Sequence, residues 1–115
     1  MAQKDLLLDD KDISELMELC GDYAFRWNDI GLQLGFLNPQ LHVIQSNPLL
    51  LINAPKSYLQ ELLSQWVQWP TKKHPEKPSL RVLCSALKAI GLGALSEKVE
   101  KEMIVRREHK GQNII

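Results

Sequence analysis

A chain of 115 residues and 13.2 kDa is long enough for one ordinary domain and too short for two. At 44% hydrophobic and 24% charged it has the composition of a globular domain, and its longest apolar run, Leu49 to Ile52, is far short of the roughly 20 residues of a membrane helix. The formal net charge of zero conceals two unlike halves: Met1 to Asp29 carries eight acidic against three basic side chains, and the rest eleven basic against six acidic, a polarity that suits a protein partner and is ill suited to coating a polyanion.

Apolar residues recur at helical spacing in nearly every segment, and no stretch holds a period of two. Residues 1–11 read as a flexible leader. A first helix is expected after Asp12, with Asp12 and Glu15 as a capping box and Ile13, Leu16, Met17 and Cys20 facing inward. A second places Trp27, Ile30 and Leu34 on one stripe and stops at Gly35. Asn38 and Pro39 form an N-cap and N1 pair that opens a third, with Leu41 and Ile44 inward. Pro48 and Pro55 delay the fourth, which starts near Lys56, carries Leu59, Leu62, Leu63 and Trp66, and is stopped by Pro70.

A Lys- and Pro-rich loop follows from Thr71 to Pro78. Ser79 caps a fifth helix with Leu80, Leu83, Leu87 and Ile90 inward, ended between Gly91 and Gly93. The sixth has Leu95, Val99 and Met103 on its apolar stripe and a favourable Glu97–Lys101 pair on the other side. Residues 106–115 read as a frayed polar tail, and the apolar terminus Ile114–Ile115 suggests a piece cut from a longer chain. The expected architecture is all-α, a six-helix antiparallel bundle over residues 12–105.

Several chemistries find no support in the residues. His42, His74, His109, Cys20 and Cys84 are scattered without the spacing of a zinc site, so no metal is expected. There is no Gly-rich phosphate loop, no G-x-S-x-G and no carboxylate pair in a plausible pocket, so neither a cofactor nor enzymatic activity is expected. Two cysteines cannot build a disulfide framework. With no apolar stretch for a signal peptide, a reducing, cytoplasmic setting is expected, with both thiols packed as small hydrophobes.

The order of motifs adds a resemblance. Trp27-x-x-Ile30-Gly31-x-x-Leu34-Gly35-Phe36, Leu41-x-x-Ile44, Leu62-Leu63-x-x-Trp66 and Leu83-x-x-Ala86-Leu87-x-x-Ile90-Gly91-Leu92 together resemble the death domain, from about Asp12 to Met103. The resemblance implies six antiparallel helices in a Greek key, with two tryptophans filling the centre and Gly31 and Ala86 letting backbones approach. It also implies a non-catalytic module that joins like to like, often in helical stacks, in apoptotic or innate immune signalling. The expected partners are other death domains, self or heterologous, in a homo-oligomer or filament, with no nucleic acid and no membrane. A module that uses one face only and does not polymerise is the alternative within the family.

Three surfaces follow as candidates. Lys72, Lys73, Lys77, Arg81 and Lys88 make a basic set, which reads as a solvated face, a nucleic-acid patch or, through the resemblance, a homotypic contact surface. Glu15, Glu18, Asp22 and Asp29 would be its acidic complement on a neighbouring copy, giving a head-to-tail contact. Leu49 to Ile52 either folds back over the end of the bundle, the favoured reading, or stands exposed as a protein-binding patch. Leu50 and Leu51 are its candidate contact residues, and Trp69, three residues beyond Trp66 at the end of the fourth helix, is either half-buried or a further interface anchor.

Overall fold

A computed structural model describes residues 6–69 and 77–112. They form six α-helices: α1 (Ile13–Cys20), α2 (Trp27–Gln33), α3 (Asn38–Gln45), α4 (Lys56–Gln68), α5 (Leu80–Ala89) and α6 (Gly93–Gln112). Short 3₁₀ helices at Asp10–Asp12, Gly21–Arg26 and Pro48–Asn53 fill the connections. Among the described residues α1, α4, α2, α5 and α6 pack in that cyclic order, and α3 lies against α2 and α4. The core follows expectation apart from Ile90: Leu16, Trp27, Ile30, Leu34, Leu41, Ile44, Leu59, Leu62, Leu63, Trp66, Leu80, Leu83, Leu87, Leu95 and Val99 are all buried.

Local chemistry explains where α2 and α5 stop. Gly35 and Gly91 have φ of 100° and 85°, the left-handed region that a side chain disfavours. Each permits a Schellman closure: Phe36 N–H donates to Gly31 O at 2.9 Å and Gly35 N–H to Leu32 O at 3.1 Å, while Leu92 N–H donates to Leu87 O at 2.9 Å and Gly91 N–H to Lys88 O at 3.1 Å. The same chain reversals drive Phe36 into the core and bring Leu92 against it. Ser79 caps α5 as expected, its Oγ accepting from Val82 N–H.

Two caps differ from expectation. Asp12 does not cap α1. Its carboxylate turns back to accept from Asp9 N–H at 3.0 Å, because the chain makes a turn of 3₁₀ helix first and Asp9 with Asp12 forms the box there. Glu15, released from that role, lies beside Arg106. In α3 the cap is Leu37, one residue before Asn38, and its N–H donates to Gln40 Oε1 at 2.7 Å. Two of the inward positions are also only half-covered: Met17, and Ile90, which sits at the C-cap of α5 where the helix is already unwinding.

The domain also extends beyond its expected bounds. Leu6–Leu8 does not trail as a leader. Leu8 N–H donates to Pro78 O at 3.0 Å, Leu80 N–H donates to Leu6 O at 2.8 Å, and Leu8 is buried. At the other end α6 continues to Gln112, past the expected fraying point at Arg106. Arg107 holds the two extensions together, donating to both carboxylate oxygens of buried Asp12 at 3.2 Å and to Leu7 O at 3.3 Å. Residues 1–5 and 113–115 of the expected leader and tail lie outside the described residues.

Two stability predictions follow from these contacts. A Cβ on Gly31 would lie 2.7 Å from Leu41 Cδ2 and 3.0 Å from Leu62 Cδ1, and both leucines are fully buried. Gly31→Ala should therefore cost about 1–2 kcal/mol in urea unfolding despite the better helix propensity of alanine, whereas Gly93→Ala, with nothing within 4 Å, should be neutral or slightly stabilising. Arg107→Ala leaves the Asp12 carboxylate with backbone partners only. Because the arginine is 41% exposed, the expected loss is moderate, about 2 kcal/mol in the same assay, and no loss would show that the tie is idle.

Candidate protein interface

The acidic residues of α1 lie along α6 of their own chain. Arg106 Nη1 stands 3.5 Å from Glu15 and 3.4 Å from Glu18, and Arg106 Nε stands 3.7 Å from Glu102. One turn further on, Asp22 shares a surface cleft with Leu19, Tyr23, Ala94, Leu95 and Lys98. Much of the charge asymmetry visible in the sequence is thus met inside the molecule. Asp29 is separate from this row: Arg26 Nε donates to it at 2.8 Å, and the same guanidinium donates through Nη2 to Ile90 O at 2.9 Å, tying the start of α2 to the end of α5. The four acids expected to form one outward face are therefore divided, and three of them have intramolecular partners.

The basic set is dispersed as well. Lys77 and Arg81 are exposed around the start of α5, and Lys88 is exposed in its last turn. Lys72 and Lys73 lie outside the described residues.

The apolar segment decides its own question. Pro48–Asn53 forms a 3₁₀ helix capped by Asn47, whose side chain accepts from Leu49 N–H at 3.0 Å. A 3₁₀ turn has three residues, so only one side of the segment can face the bundle. Leu50 takes that side and packs against the core, its carbonyl accepting from Ser57 Oγ. Leu49, Leu51 and Ile52 are left 83%, 66% and 88% exposed. The expectation that this segment folds back over the bundle fails for those three residues. Trp69, at the C-cap of α4 where the backbone turns extended, is 65% exposed, so its ring is not a core element.

Sequence reasoning missed other residues. Tyr58 is buried, its ring centroid 5.1 Å from that of Trp27 and its hydroxyl donating to Gln45 O at 3.3 Å. Trp27 thus finds its ring partner in tyrosine, one turn along α4 from the expected stripe. Leu19 and Ala24 are also buried, and Phe25 is exposed and stacked on Tyr23 at 6.5 Å. Periodicity could have found Leu19 and Tyr58, which fall at helical spacing from Leu16 and Leu62. Nothing local marks Phe25.

With the bundle and its surfaces described, comparison with known proteins is decisive. The death domain family model matches residues 10–103. This chain belongs to the death domain family. No curated protein and no solved structure matches it significantly. The six-helix antiparallel Greek-key bundle is accordingly the death fold, and the two Schellman turns described above fall on the Leu34-Gly35-Phe36 and Ile90-Gly91-Leu92 motifs that carried the resemblance. Death domains are protein-interaction modules of signalling systems that associate with other death-fold domains, and none of their work is enzymatic. Among the described residues no helix is long and apolar enough to cross a membrane.

The two cysteines sit in the interior of this death domain. Burial pushes the Cys20 thiol up to about 12, helped by the neighbouring Cys84, against an ordinary value of 9.0. Burial also raises Cys84, whose Sγ donates to Ser96 O while Ser96 Oγ donates to Cys84 O at 3.0 Å. Both thiols are protonated at neutral pH, and neither is expected to react with an alkylating reagent before the domain unfolds. Because the folded pKa exceeds the unfolded one, the Cys20 contribution to stability is complete below pH 9.0 and is lost as pH climbs from there towards 12, and Cys84 acts in the same direction. Thermal melts should show that alkaline decline, and Cys20→Ala should flatten it. An unchanged slope would exclude Cys20 as its source.

Proposed function

We propose that this death domain acts by homotypic association, assembling signalling complexes of the apoptotic or innate immune type in the cytoplasm, with copies of itself or with other death domains as partners. The family match across residues 10–103 carries the reading. The exposed aliphatic residues of Pro48–Asn53 support it, since a domain with no partner gains nothing from leaving such side chains in water. Contacts of this size are individually weak. Assembly becomes cooperative when an upstream event gathers several copies, because each further contact then forms at raised effective concentration.

The charged surfaces are secondary in this mechanism. Glu15, Glu18 and Asp29 are engaged within the chain, so Lys77, Arg81 and Lys88 on a neighbouring copy would find only part of the acidic complement the sequence suggested. Exposed ion pairs contribute steering and register more than affinity.

Light scattering on the parent chain over a wide concentration range, at low and at high salt, tests the proposal. The expected result is an apparent mass that rises with concentration at both salt levels, with electron microscopy showing extended species at the upper end. A monomer throughout would overturn self-association and leave a heterotypic partner as the remaining reading.

A further inference from the structure

α4 carries an apolar projection at one end and an apolar recess at the other. At its N-terminal end stand Leu49, Leu51 and Ile52, three aliphatic residues each 66% exposed or more. They form a patch on the order of 400 Å², within the range where the largest apolar patch of a monomer tends to have a function. At its C-terminal end is a groove of about 400 Å³ whose walls are Leu7, Leu8, Val67 and Pro78, with Asp9 and Lys77 at the rim. The groove exists because Leu6–Leu8 pairs with Pro78–Leu80 and so stands as a wall beside the last turn of α4. Thirteen residues of helix, about 20 Å at the usual rise, separate projection from recess.

We infer that the ridge of Leu49, Leu51 and Ile52 on one copy seats in the Leu7–Val67–Pro78 groove of a second copy. The contact rests on the reading that this domain associates with its own kind, and it names the surfaces. Two observations select a second copy as the occupant. Ridge and groove match in chemistry, apolar against apolar. The patch is also about half of the roughly 800 Å² per partner of a stable pairwise interface, which fits a weak contact used repeatedly along a stack.

Because the two surfaces differ and sit at opposite ends of one helix, the contact is heterologous. Each bound copy still offers a free ridge at one end of the array and a free groove at the other, so the assembly grows unless its rotation closes a ring. Salt affects such a contact little, since burial of aliphatic surface drives it.

Complementation between two blocked variants tests this arrangement by sedimentation velocity. Ile52→Asp spoils the ridge and leaves the groove intact. Leu7→Asp spoils the groove and leaves the ridge intact, and Gln68→Trp, which fills the groove from an exposed position, serves as a second groove variant should Leu7→Asp disturb the fold by circular dichroism. Each variant alone is expected to self-associate at least about tenfold more weakly than the parent, as when an interface anchor is lost. An equimolar mixture of a ridge variant and a groove variant is expected to form a 1:1 dimer and nothing larger, because only one good ridge–groove pair can form. A mixture that stays monomeric would overturn the proposal, and a groove variant that associates like the parent while the ridge variant does not would replace it with ridge meeting ridge. Variants that associate like the parent would overturn it while leaving self-association in place. A parent that is monomeric at every concentration would remove the homotypic reading itself.

Discussion

Four of the six helices are ten residues or shorter, below the length at which an isolated helix holds together in water, so each must be stabilised by the others. α4 meets most of that demand. Its buried face of Tyr58, Leu59, Leu62, Leu63 and Trp66 is contacted by α1, α2 and α3, and its ends are met by the 3₁₀ segments. The arrangement depends on how closely α2 can approach. At Gly31 the absence of a Cβ lets Leu41 and Leu62 come to within van der Waals distance of the α2 backbone, which seats α3 in the angle between α2 and α4. α5 and α6 then close the bundle through their mutual contact and through α2 and α1.

Central packing of this kind fixes what remains outside. With the interior filled by leucines and two tryptophans, the surface becomes the working part of the molecule. There the balance between charge and apolar contact differs from what the sequence suggests. The acidic helix finds its counterions on α6, so the dipolar chain folds into a domain with much of its charge already answered. The unanswered feature is apolar: three aliphatic side chains that a 3₁₀ turn cannot tuck away together.

What could be read from the residues follows from the range of the forces involved. Helix ends written in local chemistry were legible, as at Ser79, Gly35 and Gly91, because the cap and the residues it serves are within a few positions of one another. The buried stripes of α2, α4 and α5 were legible for the same reason. The features that escaped are made by residues far apart in the chain. Arg107 meets Asp12 across 95 positions and Arg106 meets Glu18 across 88, and no spacing rule anticipates either. Hydrophobicity alone also could not say whether Leu49 to Ile52 was covered, since that depended on which residue a tight turn would direct inward. Hence the family and its core were readable in outline, while the surfaces that do the work had to be seen.

The Arg107 tie bears on where this domain may be divided. Similarity to the family ends at residue 103, yet the network joining Asp12, Leu7 and Arg107 lies partly outside that boundary at both ends. A fragment trimmed to the region of family similarity would keep every helix core and still lose the guanidinium that answers a buried carboxylate, together with the N-terminal wall of the α4 groove. The stretch that carries the family likeness is therefore shorter than the stretch that the Asp12–Arg107 tie holds together.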